Sequence, residues 1–163
     1  MRIIAIDPGC TESAVVVYGS TTGRLFRAAK VPNDDVFVIL YDEAKDDNTR
    51  MSVLVIERIA SYGMAVGAEV FETVWWSGRF AQAWLGIGGH ADRLYRRDVK
   101  LHLCGSPRAN DSNIRQALID LWGGKDKAIG KKATPGPLYG ITKDRWQALA
   151  VALTYADGVR SKA

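Results

Sequence analysis

Short apolar runs separated by turn residues predict strands in the first third of the chain. The turn residues at 20–23 join two of these runs into a hairpin, and an amphipathic helix starts at Pro32-Asn33-Asp34 and ends at the polar residues 46–48. Two of the runs are apolar at nearly every position, which is typical of strands covered on both faces. The predicted strands cover residues 2–7, 13–18, 23–31 and 52–57.

The remainder of the chain alternates between helical and strand-like patterns. Residues 99–103 alternate between apolar and polar side chains, which predicts a short, half-buried fifth strand. A helix with one apolar face starts at Asn110 or Asp111, and the last helix begins near Lys143. An earlier helix is rich in aromatic residues that recur about one turn apart, namely Phe71, Trp75, Trp76, Phe80 and Trp84.

The order of the predicted elements indicates an α/β fold. Three strands precede the first helix and later strands alternate with helices, so a hairpin is followed by crossover connections. This order predicts a five-stranded mixed β-sheet flanked by helices on both faces. No internal repeat or linker divides the sequence, and residues 1–163 are therefore predicted to form a single domain.

Composition narrows the class of protein. Apolar residues make up 47% of the chain and charged residues 25%, which is typical of a soluble globular domain. No apolar stretch approaches the roughly 18 residues of a membrane span, and the N-terminus lacks the pattern of a signal peptide. We therefore expect a cytoplasmic protein without membrane contact. The two cysteines and two histidines show no metal-ligand spacing, which argues against a zinc enzyme.

Three acidic residues stand where predicted apolar elements end or begin. Asp7 and Glu57 each follow a buried strand directly, and Asp144 opens the apolar segment of the last helix. Taken singly, such acids are more commonly turn or capping residues, because their side chains bind neighbouring backbone N–H groups. Two buried strands that both end in an acid favour a shared function instead. Converging carboxylates are typical ligands of Mg²⁺, and sites with two such ions hydrolyse phosphodiesters.

The net charge of +4 fits a polyanionic partner, and the positions of the basic residues indicate which part of that partner they contact. The glycine-punctuated segment 123–136 is rich in lysine, which favours contacts to phosphates over contacts to bases. Arg115, on the polar face of a predicted helix, and Arg79, within the aromatic helix, are either solvated surface residues or DNA contacts. The lysines of the segment are Lys125, Lys127, Lys131 and Lys132.

Three stretches of the sequence resemble RuvC-type Holliday junction resolvases, in the family's order. They are Ile6-Asp7-Pro8-Gly9, Val55-Ile56-Glu57, and the run from Asp144 into Ala148-Leu149-Ala150. The compact length is similar to that of the short RuvC-like proteins of bacteriophages. The resemblance implies an RNase H-like fold, a homodimer, and nicking of opposed strands in four-way DNA junctions. It also implies that Asp7, Glu57 and Asp144 bind two Mg²⁺ ions, with Mn²⁺ as an alternative, in a bacterial cytoplasm.

Two positions depart from the pattern of that family. The family commonly carries an acid three residues after the one that opens the last helix, and this chain has Gln147 there. An amide offers one neutral oxygen, so Gln147 is a weaker ligand for a hard cation. The family also tends to place an aromatic wedge shortly after its second acid. Ala60 stands at that place, and Tyr62 is the nearest aromatic residue, as a wedge or as simple packing.

The aromatic helix has two interpretations. Its large side chains cannot share one narrow stripe, which predicts that the helix buries more than one face. Packing against the sheet accounts for some of them, and a symmetric dimer contact would account for others. A two-fold dimer presents two sites to two strands, as a junction resolvase requires.

Other functions stay open on the sequence alone. The acids would equally serve an RNase H-like nuclease for other branched DNA or for RNA. The stretch Asp7-Pro8-Gly9-Cys10-Thr11 also fits the phosphate loop of the actin and sugar-kinase superfamily, although those proteins are much longer and carry a second phosphate loop. Gln147 is the one feature that favours a non-catalytic, junction-binding protein.

Overall fold

The computed structural model describes residues 1–45 and 52–160, and a mixed β-sheet lies at its centre. The strands of this sheet are β1 (Arg2–Asp7), β2 (Glu12–Gly19), β3 (Arg24–Pro32), β4 (Ser52–Arg58) and β5 (His90–Tyr95). Their order across the sheet is β3-β2-β1-β4-β5. The first three strands pair in antiparallel fashion, whereas β4 pairs parallel to β1 and β5 pairs parallel to β4.

Helices cover both faces of the sheet. One face is covered by α1 (Asn33–Lys45) and α2 (Ala68–Gly86). The other is covered by α3 (Arg96–Cys104), α4 (Asp111–Leu121), α5 (Lys125–Ala128) and α6 (Arg145–Arg160). The predicted five-stranded mixed sheet with helices on both faces is therefore confirmed. No helix in the described part of the chain has an apolar stretch long enough to span a membrane.

The alternation of side chains along β1 separates two cores. Ile3 and Ala5 pack on the side of α6, whereas Ile4 and Ile6 pack on the side of α1 and α2. Because both sides are covered, the strand is apolar at consecutive positions. The next residue in the alternation is Asp7, which falls on the α6 side.

Helix α6 lies closest to the centre of the molecule. Residues 148–152 are all fully buried, and three of the five are alanine, which lets the helix approach the sheet closely. A helix that is apolar on every side is typical of a core position. This packing fixes the start of α6 near the ends of the central strands.

The prediction of a strand over residues 99–103 is wrong, because these residues belong to α3. Val99 is fully buried and Leu103 packs against the same core, whereas Leu101 is 50% exposed. Positions four residues apart share one face of a helix, and five residues of alternation fit either period. The fifth strand is β5, which lies just before α3 and has no fully buried side chain.

Several predicted boundaries shift by one or two residues. Asn110, and not Asp111, caps α4, and its side chain accepts a hydrogen bond of 2.9 Å from the N–H of Asn113. The last helix starts at Arg145. The basic segment 123–136 contains the short helix α5 and a two-stranded ribbon, β6 (Gly130–Lys131) and β7 (Thr134–Pro135). The predicted end of α1 at residues 46–48 lies outside the described residues. The assignment of the whole chain to one domain stays a prediction.

Helix α2 divides its aromatic residues between the core and the surface. Phe80 and Trp84 are fully buried, and Trp76 is half-buried. Phe71 and Trp75 are 65% and 56% exposed. The helix therefore buries one side against the sheet and presents aromatic rings on the other.

Candidate active site

Asp7 and Glu57 lie at the carboxyl ends of two neighbouring parallel strands. β1 and β4 stay in register up to Ile6 beside Ile56, and the next residue of each strand is the acid. Both acids continue the row of side chains that packs toward α6. Glu57 is buried and Asp7 is partly buried. The structure thus brings two of the predicted acids together on one side of the sheet.

Burial and repulsion change the chemistry of Asp7. Burial, followed by the negative charge of Glu57, raises the pKa of Asp7 to about 8. Asp144 and Asp111 act in the same direction, while Arg96 opposes them. The effect of Asp144 shows that the third predicted acid shares this electrostatic environment. Asp7 is therefore largely protonated at neutral pH when no metal ion is near.

Asp144 immediately precedes α6, and its backbone caps the helix. Its carbonyl accepts hydrogen bonds from the N–H groups of Gln147 (2.9 Å) and Ala148 (3.1 Å), which leaves the carboxylate for other partners. Lys30 Nζ lies 2.5 Å from that carboxylate, and this hydrogen bond raises the pKa of Lys30. Lys30 is on β3, where the strand registers align it with Ala14 and, across β2, with Asp7.

Glu57 is paired with a cation from α3. Arg96 Nη1 lies 3.1 Å from Glu57 Oε1, and Nη2 of the same side chain lies 2.6 Å from Asp111 Oδ1. Burial raises the pKa of Glu57, and the charge and hydrogen bond of Arg96 oppose that rise. Arg96 therefore bridges an acid of the sheet to an acid of α4.

The loop that follows Asp7 is fixed by a buried polar network. The N–H of Gly9 donates to Ser13 Oγ (3.2 Å), Ser13 Oγ donates to Asn33 Oδ1 (2.6 Å), and Asn33 Nδ2 donates to the carbonyl of Gly9 (3.0 Å). A Cβ atom at Gly9 would lie 2.3 Å from the carbonyl oxygen of Glu12, so this turn excludes a side chain. The network holds the end of β1, and with it Asp7, in place.

The oxygen donors fit a hard divalent cation, although the acids do not surround one as they stand. Within residues 1–45 and 52–160, no three Asp, Glu, His or Cys side chains converge closely enough to hold a metal ion. Lys30 and Arg96 instead occupy carboxylate oxygens of Asp144 and Glu57. Burial, followed by the neighbouring carboxylates, raises the pKa of Asp7, and a cation bound nearby would favour its ionised form. The donor set is therefore compatible with a metal ion that displaces these two side chains.

Gln147 and Arg115 lie beside Asp144. The three residues line a cleft of about 410 Å³ that also contains Asp111. Gln147 is only 6% exposed, and its side-chain amide forms no hydrogen bond with any described residue. The guanidinium of Arg115 lies 5.3 Å from the centre of the Trp146 ring, which holds it at the cleft wall.

Tyr62 lies in a second cleft, next to the acids. This cleft, of about 240 Å³, is lined by Tyr62, Arg96, Arg97 and Lys100, together with Pro107. Tyr62 is 60% exposed, and its backbone φ of 48° is in the left-handed region that disfavours residues with a side chain. Because Arg96 also contacts Glu57, the cleft adjoins the acidic cluster.

The remaining predicted DNA contacts lie on other elements. Lys125, Lys127, Lys131 and Lys132 are exposed on α5, on β6 and just after β6. Arg79 is on α2, on the face of the sheet opposite to α6, and its guanidinium lies 4.4 to 5.0 Å from the ring centres of Phe37, Trp75 and Trp76. The role of all these residues in DNA binding stays a prediction.

Three residues outside the predicted site belong to the same cluster: Lys30 and Arg96 contact predicted acids, and Asp111 contacts Arg96. Arg96 carries no signal of its contact, because the alternation over residues 99–103 predicts a strand where α3 lies. Lys30 and Asp111 carry no local signal, because each reaches the site from an element distant in the sequence.

Comparisons with known proteins bear on the fold. No family model and no curated protein matches the chain. The structure of RuvC from Thermus thermophilus aligns over 99% of this chain and 97% of its own, with a TM-score of 0.70 and 19% sequence identity. T. thermophilus RuvC in complex with a Holliday junction substrate aligns over 99% of this chain and 96% of its own, with a TM-score of 0.63 and the same identity. The chain therefore has the fold of RuvC, and the RNase H-like architecture predicted from the sequence is confirmed.

Proposed function

We propose that the protein is a metal-dependent endonuclease that resolves four-way DNA junctions in the bacterial cytoplasm. The observation that carries this proposal is the pairing of Asp7 with Glu57 at the ends of two central strands, within electrostatic reach of Asp144. Support also comes from the fold, since the matching T. thermophilus RuvC was solved in complex with a Holliday junction substrate. Because one fold can host many functions, the acids carry more weight than the fold.

Asp7, Glu57 and Asp144 would hold two Mg²⁺ ions, or Mn²⁺ in their place, and Gln147 would add a weak oxygen ligand. When bound, such ions lower the pKa of a water molecule and stabilise negative charge on a phosphodiester. Asp7 must release its proton before it can serve as a ligand, because its pKa in the metal-free protein is about 8.

Lys30 and Arg96 would change partners when the site is loaded. In the metal-free protein they neutralise Asp144 and Glu57, which limits repulsion among the acids. Once those carboxylates bind metal, the two side chains are available to contact the DNA backbone. Arg96 already lines the basic cleft, so a small movement would turn it toward a phosphate.

The other predicted DNA contacts form two groups, one next to the acids and one farther from them. Tyr62 and Arg115 line the two clefts beside the acidic cluster, where they would contact nucleotides next to the cut phosphate. The lysines of α5 and the β6 region would bind the arms of the junction through phosphates. Arg79 stacks on Trp75 on the other face of the sheet, where it would act as a surface residue.

We also propose that the protein works as a homodimer. The surface formed by α1 and α2 exposes several large apolar side chains, which monomeric proteins rarely gather in one place. They are Val38, Tyr41, Phe71, Val74 and Trp75. Two copies joined through this surface would present two sites to two DNA strands.

Cleavage of a labelled four-way junction in Mg²⁺ tests the function, with linear duplex, flap and RNA–DNA hybrid substrates beside it. We expect paired nicks in opposed junction strands, and their loss in Glu57→Gln, which keeps the size of the side chain and removes its charge. Asp120→Asn is the matched control, because Asp120 is exposed on α4 and hydrogen-bonds Gln116.

Other results of this experiment would assign a different function or contradict the proposed site. Preferred cleavage of flaps or hybrids would make the protein a nuclease of another substrate class. Tight junction binding without cleavage in Mg²⁺ or Mn²⁺ would make it a non-catalytic binding protein. An active Glu57→Gln would contradict the proposed site.

A further inference from the structure

The acidic cluster contains one carboxylate that comes from outside the three predicted positions. Asp111 is the first residue of α4, and Asn110 already caps that helix, so the Asp111 side chain is not used for capping. Asp111 Oδ1 lies 2.6 Å from Arg96 Nη2, and the other arm of the same guanidinium lies 3.1 Å from Glu57 Oε1. One cation therefore links Asp111 directly to the acid at the end of β4.

The electrostatics of the site agree with this geometry. Arg96 pairs with both Asp111 and Glu57, so the two negative charges share one guanidinium. Asp111 thus belongs to the same charged cluster, although it is far from the other acids in the sequence.

An unpartnered amide points to a ligand in the same place. Gln147 and Asp111 line one cleft together with Asp144. Gln147 is 6% exposed, and its amide makes no hydrogen bond with the described residues. The amide is at the cleft without a protein partner, which leaves its oxygen available to a cation bound there.

We propose that Asp111 is a fourth acidic ligand of the metal site, supplied from α4 in place of the acid that position 147 lacks. The inference rests on the proposed metal-dependent function. Asp111 would share the ion with Asp144 and with the oxygen of Gln147, and Arg96 would leave Asp111 and Glu57 when the ion binds. The ligand is a hard divalent cation, because all of these donors are oxygens.

Calorimetric titration of the full chain with Mn²⁺ tests the proposal without reliance on cleavage. We expect Asp111→Asn to weaken Mn²⁺ binding by at least about 10-fold, whereas Asp120→Asn on the same helix leaves it unchanged. Gln147→Asp in the Asp111→Asn background should restore binding, because it returns a carboxylate to the cleft. Circular dichroism confirms that each variant is folded.

Weaker Mn²⁺ binding in Asp111→Asn could also arise through Arg96, and the titration must distinguish this cause from the loss of a ligand. Without Asp111, Arg96 could hold Glu57 more tightly and so compete with the metal ion. In an Arg96→Met background that competition is gone, and a ligand role predicts that Asp111→Asn still weakens binding. Loss of the effect in this background would overturn the proposal.

The remaining outcomes distinguish this inference from the proposed function. If Asp7→Asn abolishes Mn²⁺ binding and Asp111→Asn does not weaken it, the role of Asp111 is overturned and the metal site stands. If wild type binds Mn²⁺ no better than Asp7→Asn does, the metal site and the role of Asp111 fall together.

Discussion

The surroundings of Asp7 disfavour the charged form of its side chain. It is ionised at neutral pH in the unfolded chain, yet its pKa in the folded protein rises from 3.8 to about 8 because it is buried beside Glu57. Between these two values the folded state holds a proton that the unfolded state has lost. The contribution of Asp7 to the stability therefore falls as the pH rises across this window. A residue kept at such a disadvantage is typical of a functional site.

Replacement of Asp7 by asparagine should stabilise the metal-free protein. The amide removes the buried charge, so we expect the free energy of unfolding in EDTA to increase by about 1–3 kcal/mol at pH 8, and by less at pH 5. Thermal denaturation followed by circular dichroism at both pH values measures the difference. Asp120→Asn, which changes an exposed carboxyl, should show no such trend. A gain from Asp7→Asn that did not grow with pH would contradict the account.

Long apolar runs predict the helices and strands of this chain better than short alternating patterns do. Apolar runs in β1 and β4 predicted strands correctly, because strands covered on both faces leave an unambiguous signal. The edge strand β5 was missed, since none of its side chains is fully buried. α3 was mistaken for a strand because its burial depends on contact with α6, which no local pattern in residues 99–103 reveals.

Two glycines of the α2 region should respond in opposite ways to alanine. A Cβ atom at Gly89 would lie 2.2 Å from Nε1 of the buried Trp84 ring, whereas Gly78, inside α2, has open space around it. We expect Gly89→Ala to lower the free energy of unfolding by about 1–3 kcal/mol through overpacking. Gly78→Ala should raise it by about 1 kcal/mol through helix propensity.

Urea denaturation measures both variants against wild type. The pair is internally controlled, because each variant adds one methyl group to the same part of the chain. Equal effects of the two substitutions would show that the contact between Gly89 and Trp84 does not limit packing there.

The complete fold assembles the candidate site from residues that are far apart in the sequence. Asp7 and Glu57 were predictable because each ends a strongly apolar strand. Lys30 and Arg96 reach the acids from β3 and α3, and their contacts depend on strand register and on helix packing. Such long-range contacts depend on the complete fold, so the local pattern of apolar and polar residues does not predict them.

The exposed apolar surface of α1 and α2 predicts a contact between two copies of the chain. Phe71 is 65% exposed on α2, and a glutamate there would place a charge inside the proposed dimer interface. We expect wild type to be a dimer by light scattering coupled to size-exclusion chromatography. Phe71→Glu should weaken the dimer by at least about 10-fold and replace paired junction nicks with single ones. Leu121→Glu, which charges a comparably exposed site on α4, should leave the dimer intact. A monomeric wild type, or a Phe71→Glu variant that stays dimeric, would place the subunit contact elsewhere or remove it.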